Sequence, residues 1–437
     1  MAPSALPLAF APALPTRGAA APRRCLARRR PPLRATPPPP PVPLRCRSRR
    51  SRPAPPRASL LGRGYLNFTF FPFPLRPQLV RRTTVKEVIP DTMWCFEQEH
   101  GLGFTNVATN IRMTVVRLST GGLWVHAPVA PTPECLALLR GLGGDVEHLV
   151  LPTFAYEHKI FLAPMSRRFP SARVYVAPSQ WTWPVPLPLP LLGIFGAQVL
   201  DEKAPPPWAD ELPLRVLGPA GLGPFPFTEV AFLHRASKTL LVTDAVVWIP
   251  QSPPPVLAAS AVETYARNNV LVRLRRGRRG LAVAASLPAG GNDVGDAAER
   301  AARGWQRIVL LVLYFVPFDL IDPGPAFAAT AGRLVVAPVV RILVFPSIRH
   351  SVRRWVDAVC EWDFTSVLPA HFDGPVPSGP AEFRDAFAFL GGEGDASGDG
   401  EPVEAVSYGS PSLPSKDRRA LDTLARGLRL VGVVKPE

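Results

Sequence analysis

Residues 111–118 (IRMTVVRL) alternate between apolar and polar positions and are rich in β-branched side chains. Residues 119–122 (STGG) have turn composition, and 123–126 (LWVH) form a second apolar run, so the block predicts a β-hairpin. Helical spacing then takes over. Thr132 suits an N-cap, Pro133 a first turn and Glu134 the positive end of a helix, predicting a helix over 133–142 closed by Gly143-Gly144. Residues 146–151 (VEHLVL) read as a buried strand, 157–169 as a helix and 174–177 as another strand.

Beyond a proline-rich stretch at 178–226, a second hairpin is expected from 229–233 and 239–243. Residues 252–340 lack a clean period and read as helical insertions and linkers. A helix is expected at 352–360, a short strand at 366–368 and a last helix at 383–390. Helices interspersed with strands predict an α/β layered domain over 105–390, with insertions at 178–226 and 252–340. Residues 59–104 read as an aromatic and basic lead-in. Residues 391–437 read as a mobile Gly-rich loop and a C-terminal tail.

Composition changes this picture in two places. Of the 437 residues 47% are hydrophobic, enough to bury a substantial core. The net charge of +16 is confined to one end: residues 1–86 hold 18 Lys and Arg and no Asp or Glu, and the rest is close to neutral. A near-neutral body supplies no general phosphate-binding field, so no nucleic-acid partner is expected. The basic stretch Arg273, Arg275, Arg276, Arg278 and Arg279 reads as a solvated loop.

Residues 1–58 are rich in Arg, Ala, Pro and Ser, with Arg28-Arg29-Arg30 and five consecutive prolines from Pro37. This composition predicts a disordered organelle transit peptide, cleaved somewhere over 46–60. A secretory signal is disfavoured because Pro7, Pro12 and Pro15 break the early apolar run. The five cysteines show no CxxC spacing, so neither a disulfide framework nor a thiolate zinc site is expected. No transmembrane helix is expected: 181–200 carries proline at 184, 186, 188 and 190, and the apolar run 308–318 is too short. Both stretches keep peripheral membrane contact open.

Three strand-end loops offer chemistry. The first is Thr153-Phe154-Ala155-Tyr156-Glu157-His158, the second Thr243-Asp244, and the third Pro369-Ala370-His371-Phe372-Asp373. In layered α/β folds such loops converge on one edge, where sites are built. Each also has a plain structural reading. His158 and Glu157 suit a helix start, Asp244 an Asx-turn and His371 a hydrogen-bonded turn.

The order of hairpin, capped helix, strand with an acid-His loop, strand-Thr-Asp and strand-Pro-x-His resembles the metallo-β-lactamase superfamily over residues 105–375. More narrowly, WCFEQEHGLGF, LWVHAPVAPTPE, EHK and CEWDFTSVLPAHFDGP resemble the plastid and cyanobacterial domain-of-unknown-function family 4336. The resemblance implies a four-layer αββα sandwich with mixed sheets and a plastid location. It also implies a depleted site. Thr153, Ala155 and Pro224 stand where the superfamily places histidines, while Glu157, His158, Asp244 and His371 match its remaining ligands.

On this mapping the four residues would hold one divalent ion, zinc, iron or manganese, with Asp244 bridging or orienting water. The implied activity is hydrolysis of a small-molecule or acyl ester. The alternatives are a non-catalytic scaffold that has lost the metal site and a membrane-associated plastid factor. His126, where the superfamily usually has an acid, reads as a core or supporting group, and His234 as an exposed turn residue.

Overall fold

The computed structural model describes residues 82–102, 107–180, 187–220, 226–258, 262, 296–314, 320, 322–391 and 415–430. Seven strands lie side by side in chain order in the first sheet: β1 (Thr83–Ile89), β2 (Met93–Leu102), β3 (Val107–Arg117), β4 (Leu123–His126), β5 (Val146–Leu151), β6 (Arg173–Val176) and β7 (Gln198–Val199). β1 to β4 pair antiparallel and β4 to β7 parallel. The parallel steps need crossovers, and two of them are helices, α1 (Pro133–Arg140) and α2 (Tyr156–Ser166). The Thr132 side chain caps α1 by accepting from Cys135 N at 3.1 Å, as the sequence predicts.

The second sheet opens with β8 (Leu214–Ala220), β9 (Phe227–His234) and β10 (Thr239–Leu241). The chain then leaves it through β11 (Val247–Trp248), α3 (Ala297–Leu313), α4 (Gly324–Ala328), β12 (Leu334–Val335), α5 (Pro338–Leu343) and α6 (Arg349–Cys360). It returns as β13 (Ser366–Leu368) and β14 (Val376–Pro377), followed by α7 (Pro380–Ala386) and α8 (Ser415–Leu430). The strand order is β14-β13-β10-β9-β8, with β10 and β13 parallel.

Alternation along the strands sorts the side chains into layers. Met93, Val116, Trp124, Val150 and Tyr175 of the first sheet meet Val230, Phe232, Leu241 and Leu368 of the second between the sheets. Phe96, Ile111, Val125 and Leu149 face outward onto α1 and α2. Leu217, Ala231, Leu233 and Val367 face outward onto α6 and α7. Each large apolar side chain buried this way contributes about 1.5–3 kcal/mol. The architecture is therefore an αββα sandwich with mixed sheets.

The structure moves three expected boundaries. The sheet starts before the expected edge at 105, because β1 and β2 are its outer strands and bury Met93, Trp94, Cys95 and Phe96. The 178–226 stretch is not a plain excursion, since it supplies β7 to one sheet and β8 to the other. The expected tail carries α8, whose Leu421 and Ala425 are buried in the cluster that includes α3. Expectations for the leader, for Arg273 to Arg279 and for the loop at 392–414 lie outside the described residues.

Among the described residues no helix is long and apolar enough to cross a membrane. The apolar run at 308–313 lies in α3, and Ile308, Val309, Leu310, Leu311 and Leu313 are buried.

Candidate metal centre

The first sheet and the second are stitched together at one edge by backbone hydrogen bonds. Val230 N donates to Pro152 O at 2.8 Å, and Arg112 N donates to Ala370 O at 2.8 Å. The parallel strands β5, β10 and β13 all end at this edge, so the three loops singled out by the sequence meet there.

His158, Asp244 and His371 each offer a ligand atom, and these atoms lie within 4.8 Å of one another. His158 Nε2 is 3.2 Å from His371 Nε2, and His371 Nε2 is 3.2 Å from Asp244 Oδ1. Ligands at about 2.0–2.1 Å from a tetrahedral ion stand about 3.4 Å apart, so the spacing and the donor set fit one divalent cation. Glu157 does not join the three. It sits close enough to feel the charges of Asp244 and His371, in the first turn of α2.

Surrounding groups fix two of the three, His371 and Asp244. The His371 Nδ1 lies 2.9 Å from Asn110 O, a pure acceptor, so the proton sits on Nδ1 and Nε2 is left for the site. Asp244 Oδ2 accepts from Thr153 Oγ1 at 3.2 Å. Thr153 thus supplies a supporting hydroxyl. Glu229 of β9, fully buried, accepts from Thr243 N at 2.7 Å and Asp244 N at 3.0 Å, one on each carboxylate oxygen.

The loop that carries His371 is bent sharply. Phe372 has φ +55°, a conformation costly for a bulky residue. Asn110 holds it with both ends of its amide, accepting from Phe372 N at 2.8 Å and donating to Phe372 O at 2.9 Å. Arg112 Nη2 donates to the same carbonyl at 2.6 Å, and Nη1 to Pro369 O. The buried guanidinium is neutralised by Glu97.

Electrostatics splits the acids. Burial pushes the Asp244 carboxyl up, but its hydrogen bond with His371 and the neighbouring imidazoles outweigh this and hold it below the ordinary range. Burial and the Asp244 charge push Glu157 up. The same two causes push Glu229 up to about 8, against the two backbone N–H bonds it accepts. Three nearby carboxyls cannot all ionise cheaply, and the one paired with His371 keeps its charge. Burial lowers His371, but Asp244 and Glu157 reverse the direction and leave it raised. Burial lowers His158 to about 4.

The lead-in expected at 59–104 contributes Glu97, and β3 contributes Asn110 and Arg112. Only the long-range pairings reveal these three. Glu229 is hidden in the run FTEVAFLH, where an acid inside an apolar strand is the available signal. Residues 221–225, Pro224 among them, lie outside the described residues.

His126 stacks on Trp124 with centroids 5.6 Å apart and meets Phe232 edge-on at 5.6 Å, in the layer between the sheets. Neither of its ring nitrogens, nor His158 Nδ1, has a hydrogen-bond partner among the described residues. His234 is buried rather than exposed as expected, because the hairpin folds its ring against Ser237, with Nδ1 2.7 Å from the hydroxyl.

The family model described as "Domain of unknown function (DUF4336)" matches residues 90–323 and 322–389. The chain belongs to this family. No curated protein sequence matches it. Among solved structures, a metal-soaked flavodiiron core from Synechocystis is 9% identical over 71% of this chain and 61% of that one, with TM-score 0.37. The chain thus spans less than two thirds of that protein. A putative diflavin flavoprotein fragment from Nostoc is also 9% identical, over 71% of this chain and 95% of that one, with TM-score 0.38. A metallo-β-lactamase from Pontibacter korlensis is 12% identical, over 71% and 99%, with TM-score 0.32.

Proposed function

We propose that this DUF4336 domain holds one divalent cation between His158, Asp244 and His371 and hydrolyses a small ester or acyl substrate in the plastid. The observation that carries the reading is the convergence of two imidazoles and one carboxylate from three separate strand-end loops. A divalent cation with three protein ligands supplies Lewis acidity and lowers the pKa of water at an open position.

The chain's own residues do the rest. The Nδ1–H of His371, anchored on Asn110, presents Nε2 to the site. Asp244 offers Oδ1 inward while Thr153 holds Oδ2. Glu157, in the first turn of α2, has its proton affinity raised by burial and by the charge of Asp244. Phe372, next to His371 in the chain, is buried against Trp305.

The acid-free, Arg-rich composition of residues 1–58 supports an organelle transit peptide, and the choice of plastid rests on the family resemblance. A fluorescent fusion carrying residues 1–58 tests it, and import into another organelle would remove it.

The central experiment is metal content by mass spectrometry on the full chain purified without a metal-affinity tag, beside a His158→Ala/Asp244→Ala/His371→Ala variant. About one equivalent in the wild type and none in an equally folded variant is expected. An esterase and thioesterase screen on the loaded protein follows. No metal in either protein sinks the reading and leaves a scaffold.

A further inference from the structure

The outer end of the first sheet carries a surface feature that neither the core nor the metal centre uses. Residues 187–199 run through a short 3-10 turn (Leu189–Leu192) into β7. Ile194 is driven into the core beside α2, and Leu189, Leu192 and Ala197 pack partly around it. Gly193 at φ +76° and Gly196 at φ +61° turn the chain so that the residues between these anchors point outward.

Apart from Gln198, the outward residues are apolar. Leu191 is 71% exposed, Phe195 68% and Val199 59%. Together with Leu187 they are four of the seven large apolar side chains exposed among the described residues, gathered within one short loop. An anchored loop that holds large apolar side chains in water gains nothing for the fold, and such patches mark contact surfaces.

Cations border this knob. The guanidinium of Arg167, at the end of α2, lies against Gly193, so close that a Cβ there would come within 2.5 Å of Nη2. Arg168 follows it. Both are exposed and neither forms an ion pair among the described residues. The acids next along the chain are engaged. Asp201 accepts from Lys203 N at 2.9 Å, and Glu202 accepts from Val216 N at 2.7 Å and pairs with Arg215.

We propose that this knob docks on an anionic lipid surface. Leu191 and Phe195 enter the boundary between headgroups and acyl chains, and Arg167 and Arg168 meet lipid phosphates. The high exposure of Leu191 and Phe195 favours this partner. Two side chains standing well clear of the surface fit a deformable bilayer, whereas a stable protein partner needs a broad complementary face of about 800 Å² per side. The structure also separates the two apolar stretches that the sequence left open: the one in α3 is buried, and the one at 187–199 faces out. The inference is independent of the metal centre.

Vesicle flotation tests it, with phosphatidylcholine vesicles and with phosphatidylcholine mixed with phosphatidylglycerol. The 18 basic residues among the first 86 attract anionic lipid whatever the knob does, so the comparison is among full-length variants that share them. Leu191→Ser/Phe195→Ser is expected to weaken partition onto mixed vesicles about tenfold with unchanged melting. Arg167→Gln/Arg168→Gln is expected to reduce the preference for mixed over neutral vesicles. Hydrogen exchange over 187–199 should slow when vesicles are added to the wild type. The proposal fails if both variants float like the wild type, or if exchange at 187–199 is unchanged by vesicles. It also fails if the wild type self-associates without vesicles in a way that Leu191→Ser/Phe195→Ser abolishes, since a second copy would then own the surface.

Discussion

His371 hangs from the backbone carbonyl of Asn110, with Nδ1 2.9 Å from that oxygen, although 261 residues separate the two in the chain. The contact joins β3 of one sheet to the loop after β13 of the other. It fixes the tautomer of the imidazole, and with it the direction of the lone pair that faces His158 and Asp244.

Removing the other half of that clamp should loosen the site. Asn110→Ala leaves Phe372 N without its partner and lets the strained φ of Phe372 relax. We expect a loss of about 1–3 kcal/mol in urea denaturation. A metal-affinity loss of ten- to a hundredfold is also expected, from calorimetric titration with zinc. Unchanged affinity at full occupancy would show that the His371 loop holds itself.

Arg112 is expected to be more costly. Its guanidinium serves Glu97, Pro369 O and Phe372 O while buried. Arg112→Met strands a carboxylate and the Pro369 carbonyl and leaves Phe372 O with Asn110 alone, for a loss of roughly 3–5 kcal/mol. A double Arg112→Met/Glu97→Met variant should recover part of it, as read from the two unfolding midpoints.

Glu229 positions Asp244 through the backbone rather than by touching the site's open face. Glu229→Leu removes the acceptor for two buried N–H groups, costing about 2–4 kcal/mol. In a cobalt-substituted protein the absorption spectrum should change with it, because Asp244 is no longer held. Glu229 also gives the apo-protein a pH dependence. Its folded pKa of about 8 lies above the ordinary 4.5, so its contribution is full below 4.5 and is lost as pH rises towards 8. The wild type should therefore lose stability across that window and Glu229→Leu should lose less.

Two buried imidazoles, His126 and His158, act in the opposite direction. His126 is lowered to about 3, by burial first and then by His158, and His158 to about 4. Below the ordinary 6.5 the unfolded chain takes up protons that the folded chain refuses. Stability present above 6.5 is lost as pH falls, by about 1.4 kcal/mol per pH unit for each such group. His126→Leu should flatten this acid limb. It should also match or exceed wild-type stability at neutral pH, because neither ring nitrogen it removes has a partner among the described residues. Denaturation at pH 7 and pH 5 measures both effects.

Local pattern was enough for much of the fold. The hairpin of β3 and β4, the capped α1, the strand β5, the hairpin of β9 and β10, and α6 follow from period, cap and turn chemistry carried within a few residues. The site loops were legible for the same reason, since Thr153, His158, Asp244 and His371 each follow a readable strand. β1 and β2 were not legible. The MWCFEQEHGL run of β2 alternates only once its partner strands show which face is buried, and a strand's pairing lies outside its own sequence.

The sequence by itself determined the residue types at the site and the order of strands and helices along the chain, because both are written in local spacing, while the αββα layering was implied only by the family resemblance. Tertiary structure alone decided which of these residues meet. It left Glu157 outside the group of three, brought Asn110, Arg112 and Glu229 in as supports, buried the apolar run of α3 and exposed that of residues 187–199. Those outcomes depend on contacts between segments tens to hundreds of residues apart, where packing of one sheet on the other fixes distances that no local pattern encodes.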